Sequence, residues 1–149
     1  MEKNMEKYEA YKKMHDDLNK AMKNEFYLQA IFLEYAIFED RLLSVIIHAG
    51  MPPKNKDGKD YKITRKIDII KDRNEFQTKY IRSRLDPALM EKLREWTKRR
   101  NDLIHGLANM PYNSDDIRSV AEDGFELLKI VKSRSQSVIN YFKKNNMTE

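Results

Sequence analysis

The residues best suited to chemistry form a short polar run, Arg99-Arg100-Asn101-Asp102, followed three positions later by His105. An arginine offers a planar guanidinium that binds phosphate through several donors. A histidine has a pKa near neutrality, so it can take up or release a proton at working pH. On an ideal helix, five residues separate Arg100 from His105 by about 140°. The two side chains could therefore converge only through the reach of the arginine, a distorted helix end or a second copy of the chain.

The same run also has a purely structural interpretation. Gly106 could supply a left-handed cap at a helix C-terminus. It closely follows four basic residues that would complement the negative end of the helix dipole, namely Lys98, Arg99, Arg100 and His105. On this interpretation the run ends a helix and carries no chemistry.

An arginine followed by asparagine, and then by histidine after four intervening residues, resembles the motif of the HEPN superfamily of small all-helical proteins. Here the motif is Arg100-Asn101 through His105, near the end of a predicted helix. The resemblance implies a four-helix bundle over most of residues 24–143, with the helix that carries Glu34 as its first core helix. It also implies a homodimer in which two motifs face one cleft. Many members are metal-independent endoribonucleases of toxin–antitoxin, CRISPR-linked or antiphage systems.

Carried onto this chain, the resemblance implies that His105 acts on a ribose 2′-hydroxyl as general base or positions it. Arg100 would hold the scissile phosphate, and Asn101 would orient the backbone or the substrate. The products would be a 2′,3′-cyclic phosphate and a 5′-hydroxyl, formed without a metal or other cofactor. The implied partners are a second copy of the chain, single-stranded RNA and an antitoxin or other neighbouring-gene protein. The alternative is a non-catalytic HEPN-like module that binds RNA, a nucleotide or a protein.

One position departs from the pattern of some HEPN toxins. Those toxins are silenced by modification of a tyrosine two residues after the motif histidine, where this chain has Leu107. Tyr112 is nearby but out of pattern. We therefore do not expect this form of regulation here.

The elements that must position the motif are predicted to be helices, since there are only four glycines and four prolines in 149 residues. Apolar periodicity predicts helices over residues 26–49 and from about 63 to 84. Gly50 and Pro111 are predicted to interrupt the helices. Asp86 and Pro87 are the predicted N-cap and first residue of one helix, and Ser114 is at the predicted start of the last helix. The fold class is all-α: an antiparallel four-helix bundle, residues 24–145, with an N-terminal helical extension, residues 1–23. Asn24 could cap a second helix, or one helix could run through it.

Polar residues also lie where the helical periodicity calls for apolar ones. Arg100 lies on a stripe otherwise made of leucines and Trp96, and a guanidinium there must be paired or face a cleft or a subunit interface. Glu34 and Arg41 both lie inside the apolar arc of their own helix. Glu34 is therefore a candidate partner for Arg100 or Arg41, and a buried ion pair without a catalytic role is the alternative. Glu34 and Arg41, together with Arg99 and Asp102, are the predicted supporting residues of the site.

Composition and charge narrow the function classes. The chain has no cysteine, which excludes disulfides and a cysteine nucleophile, and it has no convincing cluster of metal ligands. Residues 54–100 carry 16 basic and 8 acidic side chains. This excess of positive charge favours binding to a polyanion such as RNA, and the alternative is an ordinary solvated surface. The longest apolar-rich stretch contains four charged residues and is a poor membrane span. We therefore expect a cytoplasmic protein with no membrane partner.

Overall fold

The computed structural model describes residues 2–109 and 114–146, and within these residues the chain forms helices and no strand. The helices are α1 (Glu2–Lys23), α2 (Tyr27–His48), α3 (Ile63–Asp72), α4 (Lys79–Arg84), α5 (Pro87–Gly106) and α6 (Ser114–Asn146), with a short 3₁₀ turn over Asn74–Phe76. The predicted all-α fold class is confirmed. The first helix ends at Lys23, so it does not continue through Asn24, and the division into residues 1–23 and 24–145 stays a prediction.

The predicted helix boundaries are confirmed where the signal is local. The Asp86 carboxylate accepts a hydrogen bond of 2.7 Å from the backbone N–H of Leu89, and α5 begins at Pro87. Gly50 follows the end of α2 with φ of 89°, in the left-handed region that glycine occupies without strain. The last helix begins at Ser114 as predicted, with Asp115 and Asp116 in its first turn.

Two boundary predictions are wrong, and one boundary lies outside the described residues. The helix predicted over residues 63–84 is broken, because Gln77 donates side-chain hydrogen bonds to the carbonyl oxygens of Lys71 and Arg73 and the chain becomes extended at Arg73. Gly106 is itself helical and does not form a left-handed cap. The predicted break at Pro111 and the out-of-pattern Tyr112 lie outside the described residues.

The chain divides into two compact units, and each has its own core. Unit 1 comprises Met1–Ile37 with Trp96–Leu128, and its buried side chains come from α1, α2, α5 and α6: Leu18, Ala30, Ile31, Trp96, Val120 and Leu128. Unit 2 comprises Phe38–Glu95 with Lys129–Glu149, and its core includes Phe38, Leu42, Ile67, Phe76, Leu93 and Val138. The predicted motif belongs to unit 1.

Candidate functional site

Arg100 lies half-buried in α5, and aromatic rings surround its guanidinium. The guanidinium carbon is 4.0 Å from the ring centre of Tyr35 and 5.5 Å from that of Phe32. Its Nη1 donates a hydrogen bond of 2.9 Å to the side-chain oxygen of Asn101. A cation over a ring face is stabilised by the ring quadrupole, more strongly where water is excluded. The arginine on the apolar stripe is therefore accommodated by π faces and an amide, not by a carboxylate.

The Arg100 guanidinium also retains an unused donor. Its Nε is buried and has no hydrogen-bond partner among the described residues. A buried donor without a partner is costly, so an acceptor that reached this edge of the guanidinium would be bound favourably. Arg100 is therefore a packed side chain with one donor left without an acceptor among the described residues.

His105 is exposed, unlike Arg100. It follows Arg100 by five positions in the same helix, which corresponds to about 7.5 Å along the axis and about 140° around it. Asp102, between them, is exposed as well. At this ideal spacing the imidazole and the guanidinium leave the helix on different sides, and the two side chains differ in exposure.

Arg99 is tied to α6. Its Nη1 is 2.7 Å from the Asp123 carboxylate, and its Nη2 donates to the Ser119 hydroxyl at 3.3 Å. Both partners lie on the surface, where such pairs contribute little to stability. These contacts use two of the five guanidinium donors of Arg99 and hold its side chain against α6.

Glu34 is fully buried in unit 1, and neither of its carboxylate oxygens has a hydrogen-bond partner among the described residues. Burial raises the pKa of this carboxyl to about 9, so it is protonated and neutral at pH 7. The nearby indole N–H of Trp96 is already used, since it donates to the Val120 carbonyl at 2.9 Å. Glu34 is therefore an uncharged buried acid and not half of an ion pair.

The predicted pairing of Glu34 with Arg100 or Arg41 is wrong. Arg41 lies in unit 2, where its Nη1 donates to the Gln136 side-chain oxygen at 3.3 Å and its Nε is 3.9 Å from the Asp40 carboxylate. Glu34 belongs to unit 1, and neither of its oxygens has a hydrogen-bond partner among the described residues. Arg100 meets Tyr35 and Phe32 instead. Their positions in α2, three residues apart and so on one helix face, are the sequence signal that could have identified them.

Gly124 also belongs to this site, although the sequence pattern did not identify it. A Cβ placed there would overlap Glu34 Oε1 and would lie 2.7 Å and 2.8 Å from Nε1 and Cε2 of Trp96. Only a residue without a side chain lets the indole and the acid pack directly on the backbone of α6. Glycine normally weakens a helix interior, so its presence here serves this close packing.

Gly124→Ala is expected to lower the free energy of unfolding by about 2 kcal/mol, because the overpacked indole and carboxyl must move. The measurement is urea unfolding followed by circular dichroism. Gly106→Ala is the matched control, since a Cβ at this other helical glycine meets nothing within 4 Å. The control should be neutral or slightly stabilising. A Gly124→Ala variant as stable as the wild type would show that the packing around Glu34 is loose.

Comparison with protein families, with curated proteins and with solved structures finds no match for this chain. Within residues 2–109 and 114–146, no helix is long and apolar enough to cross a membrane. No group of three or more histidine, aspartate or glutamate side chains in the same ranges could hold a metal ion. The assignment of a function therefore depends on the geometry of the site alone.

Proposed function

We propose that this protein is a HEPN-like endoribonuclease that cleaves single-stranded RNA without a metal and acts as a homodimer. The observation that carries the proposal is the state of Arg100 and His105. The guanidinium is held half-buried over Tyr35 with an unused donor, while the imidazole is exposed to any substrate that approaches. On this proposal the helices form the HEPN four-helix arrangement, and the biological setting is that of a toxin or antiphage effector with an antitoxin or neighbouring-gene partner.

The proposed reaction is an internal transesterification. His105, as a neutral imidazole, takes the proton from the ribose 2′-hydroxyl, and the 2′-oxygen forms a bond to the adjacent phosphorus. The bond from phosphorus to the 5′-oxygen of the next nucleotide breaks, and this oxygen takes up a proton. Arg100 binds the phosphate and stabilises the added charge, and Asn101 orients the guanidinium through its hydrogen bond of 2.9 Å.

The homodimer is proposed because one copy of α5 directs the two groups to different sides. Apolar side chains that are only partly buried lie near Arg100: Phe32 and Tyr35 of α2 contact its guanidinium, and Leu103 of α5 and Leu107, just after α5, follow it at helical spacing. The side chain of Phe32 is 52% exposed. Exposed apolar patches of this kind mark interaction sites. A second copy seated on this surface would bring its own motif to the motif of the first.

The proposed function predicts that the purified protein cleaves single-stranded RNA in the presence of EDTA. The products should carry a 2′,3′-cyclic phosphate and a 5′-hydroxyl, as detected by their resistance to a 5′-phosphate-dependent exonuclease and by mass spectrometry. RNA with a 2′-O-methyl group at every position should remain intact, because it lacks the nucleophile. Cleavage of the methylated RNA, or products with a 5′-phosphate, would contradict the proposed mechanism.

A second candidate is a non-catalytic helical module that binds RNA, a nucleotide or a protein. It is favoured by the contacts of Arg100, all of which lie within its own unit and could be wholly structural. This candidate predicts a stable dimer or heteromer with no cleavage. Arg100→Ala would then lower the melting temperature while having no catalytic effect to measure.

A further inference from the structure

A second concave site lies in unit 2, between the loop that follows α2 and one side of α3. It is a cleft of about 510 Å³, within the range of small-ligand sites. Four cationic side chains line it beside an apolar floor formed by Met51 and Pro52; the cations are Lys54, Lys56, Arg65 and Arg73. None of these residues belongs to the Arg100 site, which lies in unit 1.

The loop that forms one wall of the cleft is internally braced. The side-chain oxygen of Asn55 accepts hydrogen bonds from the backbone N–H groups of Asp57 at 2.9 Å and Lys59 at 3.0 Å. Tyr61 is buried and donates its hydroxyl to the carbonyl oxygen of Pro52 at 3.1 Å. The loop therefore presents its lysines from a defined backbone, which reduces the entropy lost when a ligand binds.

The cleft has an excess of positive charge that its own residues do not neutralise. Asp57 is the one acidic residue among those that line it. Lys54 and Arg73 have carboxylate partners at 3.9 Å and 3.6 Å outside the lining. Lys56 and Arg65 form no ion pair among the described residues. These two cations are available to an anionic ligand.

We propose that this cleft binds the phosphate groups of a nucleotide chain, with Lys56 and Arg65 as the principal ligands. A nucleotide carries an anionic group beside a flat, largely apolar one, and the cleft offers cations beside the apolar surface of Met51 and Pro52. An acidic peptide would match the charge but would leave the apolar floor uncovered. The inference rests on the proposed function in taking RNA as the ligand, and it assigns residues to RNA binding outside the motif.

The test measures binding of the full-length protein to a short 2′-O-methyl RNA labelled with fluorescein, by fluorescence anisotropy. Replacing both cations, in Lys56→Ala/Arg65→Ala, is expected to weaken binding about tenfold and to reduce the slope of log K against log salt by about 1.4. The control is Lys79→Ala/Lys92→Ala, which removes the same charge from exposed positions of unit 2 outside the cleft. It should change the affinity less than twofold, and circular dichroism checks that both variants are folded.

Two results would overturn the inference. Equal weakening by the two double variants would mean that RNA responds to net charge and not to the cleft. Displacement of the RNA by polyglutamate at the same charge concentration would show a surface for any polyanion. Two other results would support the inference. If ADP competes with the RNA, and this competition is lost in Lys56→Ala/Arg65→Ala, a single nucleotide is sufficient for binding. If only unlabelled RNA competes, the ligand of the cleft is an RNA strand.

The outcome also separates this inference from the proposed function. Because the methylated RNA cannot react through a 2′-hydroxyl, its binding does not depend on catalysis. Binding that requires Lys56 and Arg65, in a protein that cleaves no RNA, would support the cleft and refute the ribonuclease. RNA cleavage with no effect of the double variant on binding would support the ribonuclease and refute the cleft.

Discussion

His105→Ala is expected to lower the rate of RNA cleavage by about 10³, since positioned acid–base groups contribute roughly 10²–10⁴. The same change should alter the free energy of unfolding by less than about 0.5 kcal/mol, because the side chain is exposed and its removal leaves no cavity. The measurements are the cleavage rate of a labelled single-stranded RNA in EDTA and urea unfolding. Cleavage that persists in this variant would exclude His105 as the base.

His48→Ala is the matched control for the loss of an imidazole. His48 is half-buried at the end of α2, where its Nδ1 lies 2.7 Å from the carbonyl oxygen of Ser44. Its contact is structural, so the variant should retain cleavage even if it is somewhat less stable. Loss of cleavage in both variants would indicate damage to the fold and not removal of a catalytic group.

Mixing two inactive variants tests whether the site needs two copies of the chain. If Arg100 of one copy works with His105 of the other, a mixed dimer of Arg100→Ala with His105→Ala contains one complete site. Random exchange of subunits would then restore about a quarter of the wild-type rate, since half of the dimers are mixed and each has one site of two. No recovery, in a mixture shown to exchange subunits, would place both residues in the same copy.

Glu34→Gln is expected to stabilise the protein at pH 7 by on the order of 3 kcal/mol, because the amide needs no proton to remain neutral when buried. The wild-type carboxyl has a pKa of about 9 when folded and an ordinary value of 4.5. Between these values the unfolded state has lost the proton while the folded state retains it. The contribution of Glu34 to stability should therefore be fully present below pH 4.5 and should be lost as the pH rises towards 9.

The measurement is urea unfolding of both proteins at several pH values between 5 and 9. Glu34→Gln should show a much flatter dependence on pH than the wild type. Glu95→Gln is the control, since this glutamate of α5 is exposed and its replacement should change little. A Glu34→Gln variant that is less stable than the wild type at pH 8 would mean that Glu34 is ionised and has a partner in solution.

Local chemistry explains which features of the fold could be predicted from the sequence. The start of α5 depends on Asp86 and Pro87, and the end of α2 depends on Gly50; each signal acts within a few residues. The break after α3 could not be predicted in the same way. It contains neither glycine nor proline, and it depends on side-chain hydrogen bonds from Gln77 and Arg82 to the carbonyl oxygen of Lys71. The hydroxyl of Thr78, which accepts from the Ile81 N–H at the start of α4, was a usable signal for the new helix.

The sequence predicted only those features of the candidate site that depend on a single helix. The arc of α5 placed Arg100 among apolar residues, and its guanidinium does lie over the rings of Tyr35 and Phe32; the placement of His105 on another side stays a prediction from ideal helical spacing. The partner of Arg100 depends on how α2 is rotated and shifted against α5, and helical periodicity carries no information on that register. A carboxylate was therefore expected where Tyr35 and Phe32 provide ring faces. The requirement for glycine at position 124 could not be predicted either, because it also depends on how the helices pack against each other.

Trp96 offers a practical consequence of the packing around Gly124. It is the only tryptophan of the chain, it is buried, and all of its contacts described above lie in unit 1. Its intrinsic emission should therefore shift to longer wavelength when water enters that unit, whereas the helical signal reports every helix together. Two optical melting curves that fail to coincide would show that the chain does not unfold in a single cooperative step.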